Sequence, residues 1–558
     1  MTTAPPRTAG TSPPTDPRRR YHPRGQGFDS TMALAYETPI DDPSLPQLFV
    51  YTDRLSYAPG ETVVIHASAT MGEFTTEIVR DGRTPTRVAR LTLRAPFAMP
   101  PADYLVNGCG WPVAGRWTIP DDLPSGFYLL LSRGVAADGT VREHEHAFTL
   151  RARFPGKTSR VLFLMATCTW TAYNDWGGGN HYMSDKAAGF DFAPILSTLR
   201  PFSRGFLWLP EGAPRRMHEH AGPPGAIARH PCFEFAVSRG FSKFYASAGW
   251  ASYERHFALW AEREGIALDF ATQHDLQDNP ALLDDYACLV SVGHDEYWTW
   301  EMRDAVDAFV DRGGHLARFA GNFYWQIRLE AGGSRQVCYK WAAPDVDPIM
   351  ATNDTRRLTA NWENKLVARP GASTTGLNGG WGIYAGVGAM VPRGAGGFTV
   401  YRERHWALAG THLRYGDILG GEANIFGYEV DGLDYEVRKG LPFPTFADGA
   451  PPSTEIIALG LASNSEVIPE TRGEASYFNF YGDPAAEVAP LRYEETTAET
   501  IEDAARGSGM MVTFSRGAGS VFHAGTCDWV AGLTRRDHAV ETVTRNVLAR
   551  FTREGTPQ

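Results

Sequence analysis

Tyr286-Ala287-Cys288-Leu289-Val290-Ser291-Val292-Gly293-His294-Asp295-Glu296-Tyr297-Trp298 carries two messages in succession. Its first part is a continuous apolar run, as a strand buried on both faces requires. From Gly293 to Trp298 it reads as a polar turn. Thr299 then offers an N-cap, and Met302, Ala305, Val306, Phe309 and Val310 recur at helical spacing until Gly313-Gly314. His315 to Ala320 reads as the next strand and ends at Gly321-Asn322. Strand, turn, helix and strand in this rhythm predict a parallel α/β sheet.

The same alternation extends upstream. Val161-Leu162-Phe163-Leu164-Met165-Ala166 is a second continuous apolar run. Tyr253 to Glu264 has the spacing of a helix closed by Gly265, Ile266 to Phe270 reads as a strand, and Ala281-Leu282-Leu283 starts a short helix. This α/β region begins near residue 156 and runs to about 330. Residues 331–500, rich in Gly and short strands, read as a β-rich insertion, and 501–558 return to α/β form. There Met510 to Phe514 and Ser520 to Ala524 are predicted strands. Gly525 to Trp529 is a turn, and Ala539 to Phe551 is a helix with Val540, Val543, Val547 and Phe551 on one face. Residues 45–155 show alternating strands closed by Pro-Gly and Ser-Gly turns, the pattern of an Ig-like β-sandwich. Residues 1–44 read as a disordered tail and lead-in; the Pro-, Thr- and Arg-rich start has no apolar core and is not a secretory signal.

Bulk composition narrows the function classes. The chain has 558 residues, enough for several structural units, and is 43% hydrophobic and 21% charged, as expected of a soluble globular protein. A net charge of −11 argues against a nucleic-acid partner, and no stretch is long and apolar enough to span a membrane. The six cysteines (Cys109, Cys168, Cys232, Cys288, Cys338 and Cys527) form no C-x-x-C pair, which favours reduced thiols in a cytoplasmic protein. The 15 tryptophans include Trp170, Trp176, Trp298, Trp300 and Trp325 beside polar or glycine-rich strings. They fit either loop packing or a pocket lined by indole faces, and the latter keeps a non-catalytic carbohydrate- or small-ligand-binding protein in play.

Ligands of parallel α/β sheets bind at the carboxyl ends of strands. Three polar strings fall there: Trp170 to Tyr182, His294 to Tyr297, and Gly321 to Trp325. Asp295 and Glu296 precede a helix, whose dipole stabilises nearby carboxylates. Asp295 is therefore expected as a capping or dipole partner. Glu296 beside an imidazole is expected to work as a metal ligand or base. This strand end is also where class I glutamine-amidotransferase-like domains carry a cysteine nucleophile. None stands here, because Cys288 lies inside the strand as a packing residue, so a cysteine hydrolase is disfavoured. Two His-x-His strings have zinc-compatible spacing. His144-Glu145-His146 is expected on a solvated strand, and His218-Glu219-His220 in a loop able to border the pocket. There is no His-Glu-x-x-His and no P-loop.

Five strings together resemble the large (β) subunit of N,N-dimethylformamidase. They are Trp170-Thr-Ala-Tyr-Asn-Asp-Trp-Gly-Gly178, Val292-Gly-His-Asp-Glu-Tyr-Trp298, Gly321-Asn-Phe-Tyr-Trp325, Asn424-Ile-Phe-Gly-Tyr-Glu-Val-Asp-Gly432 and Gly525-Thr-Cys-Asp-Trp-Val530. The resemblance implies a glutamine-amidotransferase-like α/β fold with an N-terminal β-sandwich and a β-rich insertion. It also implies an amidohydrolase acting on a small linear amide such as a substituted formamide. The cofactor implied is one iron ion, ferric, held by two tyrosinates and a glutamate. By motif, Tyr173, Tyr182 and Glu296 correspond to the ligands, and His294, Asn322 and Glu429 to catalytic polar residues. The family further implies a small partner subunit or a homo-oligomer.

Overall fold

The computed structural model describes residues 36–184, 192–215, 231–352, 354–383, 396–427, 429–463 and 484–553. Most of the tail read over 1–44, and the string His218-Glu219-His220, lie outside the described residues.

One sheet organises the molecule. Its strands are β1 (Val161–Met165), β2 (Asp269–Thr272), β3 (Cys288–His294), β4 (His315–Gly321), β5 (Phe398–Val400), β6 (Ile418–Leu419), β7 (Glu455–Ser463), β8 (Arg506–Arg516) and β9 (Gly519–His523). Their spatial order is β2-β1-β3-β4-β9-β8-β7-β5-β6. The first five in that order are parallel, with Cys288 opposite Val161 and His315, and His315 opposite Ser520. The remaining four are antiparallel. β1 and β3 sit between parallel neighbours and are buried at every position, which is why their sequences are continuous apolar runs rather than alternations. The stretch read as an insertion does not stand apart, because β5, β6 and β7 continue the sheet beyond β8.

Among the described residues, the helices that flank these strands include α1 (Thr167–Tyr173), α2 (Glu254–Glu264), α3 (Trp300–Asp311), α4 (Trp529–Thr534) and α5 (His538–Phe551). α2 ends where Gly265 adopts a left-handed conformation (φ 73°) and donates to the Ala261 and Glu262 carbonyls. Phe257 of α2 packs on Phe163 and Phe319 at 5.1 and 5.8 Å between ring centroids. α3 starts at Thr299, whose hydroxyl accepts from the Met302 amide. α5 buries Val540, Val543, Val547 and Phe551.

Two smaller sheets precede this body. One joins Leu48–Thr52, Thr62–Ala69 and Val113–Thr118; the other joins Ser56–Tyr57, Val141–Leu150, Gly126–Val135, Glu73–Arg80 and Thr86–Arg94. Alternate residues Val63, Ile65, Phe74, Ile78, Tyr128 and Leu130 fill the space between them. Phe127 stacks on Trp250 at 4.2 Å, and the Trp250 indole donates to Asp81 at 2.7 Å, so this module is fastened to the parallel sheet.

Two sequence expectations are corrected here. Gly293 to Trp298 is not one turn: β3 runs on to His294, and Tyr297–Thr299 is a short strand paired in parallel with Trp325–Glu330. Past the end of β3 the backbone amides still find acceptors: that of Asp295 donates to the Gly321 carbonyl at 3.4 Å and that of Glu296 to the Thr169 hydroxyl at 2.9 Å. His144-Glu145-His146 is not solvated. All three residues are buried: His144 lies edge-on to Phe49 of the module's other sheet, and at the α/β body His146 lies beside Phe202 and Glu145 accepts from the Gly205 amide at 2.9 Å.

Candidate active site

The carboxyl ends of β1, β3, β4 and β9 converge, and two glycines make the convergence possible. Gly293 has φ 76°, and a Cβ there would lie 2.4 Å from the Tyr253 Cβ. A Cβ on Gly321 would lie 2.6 Å from the Cys527 nitrogen and 2.9 Å from the Glu429 oxygen. The missing side chain at 321 thus lets three segments meet. Val430 bridges Thr526, and the Cys527 amide donates to the Glu429 carbonyl at 3.1 Å.

Beyond Gly293 the side chains part. His294 and Glu296 enter the site, while Asp295 points away. Asp295 accepts from the Trp298 indole at 2.8 Å and from Gln273 at 3.0 Å, and pairs with the guanidinium of buried Arg318. The expected helix-capping role of Asp295 is therefore corrected. Thr299 caps α3, and the buried Arg318 cation requires a buried anion.

Glu296 is the hub. Its backbone amide donates to the Thr169 hydroxyl of α1 at 2.9 Å, which fixes it against the helix that carries Tyr173. The Tyr173 hydroxyl donates to its carboxylate at 3.0 Å, and the Tyr182 hydroxyl lies 2.8 Å from both carboxylate oxygens. The two phenol rings lie 4.4 Å apart. Burial, and then the Glu296 charge, push the Tyr182 hydroxyl well above its ordinary value. Of the six residues singled out in the sequence, Tyr182 alone keeps part of its surface open to solvent.

His294 joins this cluster to Glu429. Its Nε2 lies 2.9 Å from Glu429 and 3.3 Å from Glu296, and its Nδ1 lies 2.6 Å from the Ser247 carbonyl. A carbonyl only accepts, so Nδ1 carries a proton. Burial disfavours the imidazolium, yet the two carboxylates outweigh burial and raise the group to about 10. Burial likewise raises Glu429. Asn322, held at φ 60° by its amide's bond to Asp431 (2.9 Å), places its Nδ2 3.0 Å from His294 and also against Glu429.

All six sequence-derived residues (Tyr173, Tyr182, Glu296, His294, Asn322 and Glu429) therefore meet in one place. Other members went unread. The Tyr297 hydroxyl donates to that of Tyr182 at 2.9 Å. The Lys340 ammonium lies 3.2 Å from the centroid of the Tyr182 ring, buried and without a hydrogen-bond acceptor among the described residues. Burial lowers Lys340 to about 8. Tyr297 stood in a quoted string but had no assigned role. Lys340 lies in Cys338-Tyr339-Lys340-Trp341, which carries no local signal, and is held at φ 54°. Tyr173, Tyr182 and Glu296 offer hard oxygen donors gathered on one carboxylate, a set that fits a small, highly charged cation.

The fold and site define an α/β protein with a mixed sheet and a two-phenol, one-carboxylate centre beside a buried imidazole–carboxylate pair. Residues 76–542 match the model of the family described as N,N-dimethylformamidase beta subunit-like, C-terminal, and the chain belongs to that family. The N,N-dimethylformamidase beta subunit of Paracoccus aminophilus is 24% identical over 477 residues, 80% of this chain and 55% of the relative. The protein of the same name from Alcaligenes sp is 26% identical over 479 residues, with the same coverage of 80% and 55%. The chain thus spans about half the length of the curated relatives it matches.

Proposed function

We propose that this protein hydrolyses the C–N bond of a small amide, such as a substituted formamide, and that it does so with iron held by Tyr173, Tyr182 and Glu296. The observation that carries the reading is the gathering of two phenols on one buried carboxylate, 2.8–3.0 Å away. The family membership and the names of the relatives support the amide substrate. A ferric ion there would supply Lewis acidity, polarising the amide carbonyl and acidifying a water molecule.

This chain's own residues do the rest. Glu429, raised by burial, takes the water proton. His294, anchored at Nδ1 by Ser247, relays a proton from Nε2 towards the departing amine. Asn322 Nδ2 holds the developing oxyanion. Water adds to the carbonyl, the C–N bond breaks, and acid and amine leave. Lys340 over the Tyr182 ring favours the phenolate by its charge. The sheet belongs, in this reading, to the class I glutamine-amidotransferase-like kind. The word "subunit" in the relatives' names suggests a small partner chain or a homo-oligomer.

Metal analysis of the purified chain, with and without a co-expressed small subunit, tests the proposal. We expect about one iron per chain, a phenolate-to-iron absorption band lost in Tyr173→Phe, and loss of iron in Glu296→Ala. An active iron-free protein, or a Glu296→Ala variant that keeps its iron, would overturn it.

A further inference from the structure

Next to the two phenols, with the His294 ring 5.1 Å from that of Tyr173 and its Nε2 3.3 Å from Glu296, lies a different donor set. His294, Glu429 and Cys527 each present a ligand atom, all within 4.8 Å of one another, and all three residues are buried. We infer that these residues form a second cation site, suited to a borderline-soft divalent ion such as zinc.

Four observations point the same way. First, the Nδ1 proton of His294 is fixed by the Ser247 carbonyl at 2.6 Å. That is the outer contact by which metal-binding imidazoles fix which nitrogen faces the ion; here that nitrogen is Nε2, which meets Glu429, Glu296 and Asn322. Second, Nε2 faces carboxylate oxygens at 2.9 and 3.3 Å, so its surroundings offer anionic donors to a cation. Third, Asn322 is 1% exposed and lies against both His294 and Glu429, yet its Oδ1 has no hydrogen-bond partner among the described residues. In the zinc-bound form alone, the amide would turn over and present that oxygen as a fourth donor. Fourth, burial, and then the charges of Glu429, Asp431 and Asp528, keep the Cys527 thiol protonated, while the Glu429 carboxylate within 4.8 Å of its Sγ favours a cation beside it.

Gly321 makes the set possible, since its missing Cβ lets the 429 and 527 segments press on the end of β4. Sulfur, imidazole nitrogen and one carboxylate oxygen are the ligands of tetrahedral zinc, whereas phenolates and carboxylates suit a harder ion. The two sites therefore sort cations by ligand softness. Zinc binding releases two protons to solvent: the thiol proton of Cys527 and the one shared by His294 and Glu429. It forms bonds to Sγ, Nε2 and a Glu429 oxygen, and nothing is oxidised or reduced. If Glu429 and His294 move protons as proposed above, zinc at this site removes both from use. That inhibitory consequence rests on the proposed function, whereas the site itself does not.

Zinc-edge X-ray absorption of the purified full chain carrying one added equivalent of zinc tests the site. We expect one sulfur neighbour at about 2.3 Å and nitrogen or oxygen neighbours at about 2.0–2.1 Å. In Cys527→Ser the sulfur neighbour should vanish and zinc affinity, read against a chromophoric chelator, should fall at least tenfold. Glu429→Gln, which retains the thiol, should also lose at least tenfold. A zinc environment without sulfur in the unmodified chain overturns the assignment whether or not the serine variant folds. So does a sulfur neighbour that survives Cys527→Ser. Iron content and amide turnover measured on the same samples keep the questions apart. Loss of iron binding leaves the zinc-edge result standing, and turnover unchanged by bound zinc overturns only the inhibition.

Discussion

His294-Asp295-Glu296 and His144-Glu145-His146 are built alike. Each lies on or at the end of a strand, each is buried, and in each the middle acid turns away from its neighbours. Yet their electrostatics are opposite. His294 faces two carboxylates and is raised to about 10. Burial lowers His146 to about 3, and His144 is lowered too, by burial, by His146 and by Arg204. The middle acids differ as well: Asp295 pairs with Arg318, a cation reaching in from the neighbouring strand, whereas Glu145 takes a backbone amide at the seam between the two bodies. The comparison shows that spacing places imidazoles, and that what faces them decides whether they hold a proton.

The sharpest way to break the contrast is Glu429→Gln. It removes the charge that raises His294 while keeping a polar group in place. On the proposed mechanism, kcat for a formamide substrate should fall roughly a hundred- to ten-thousandfold, with iron retained. Steady-state kinetics with metal analysis on the same preparation checks it. Unchanged kcat would make His294 as passive as His146.

Arg318→Met attacks the middle acid instead. It leaves the buried Asp295 carboxylate uncompensated, and should destabilise the protein by about 3–5 kcal/mol. A urea midpoint that fails to move would show that Asp295 and Arg318 are independent.

The sequence made the site's membership legible but not its geometry. Tyr173, Glu296, His294, Asn322 and Glu429 stand in motifs at strand ends or beside glycines, and short strings carry that information. Strand β3 was readable because burial on both faces demands a continuous apolar run. Its end was not, because the Tyr297–Thr299 ladder depends on Trp325–Glu330, a distant partner. β2 begins at Asp269, later than the apolar spacing from Ile266 suggests, because its register is set by β1, with Asp269 opposite Leu162. Lys340 is a tertiary fact: it comes over Tyr182 through a strained backbone in an otherwise unmarked string. The same blindness misplaced His144-Glu145-His146, whose alternation is equally that of a solvated strand until the α/β body covers it.

That seam supplies the smallest and most direct test. An imidazole depressed in the folded protein stays neutral there while its unfolded counterpart, near 6.5, takes up a proton. Its contribution is therefore full above pH 6.5 and is lost as pH falls towards about 3. Between pH 6.5 and 5 one such group removes about 1–2 kcal/mol. His146→Gln keeps a neutral polar group opposite the Thr52 hydroxyl, which His146 Nε2 meets at 3.1 Å, but cannot titrate. Urea midpoints compared at pH 7.5 and 5 should therefore move less in His146→Gln than in the unmodified chain, by about that amount. Equal movement would mean that His146 is already protonated in the fold, which would erase the difference between the two histidine triplets.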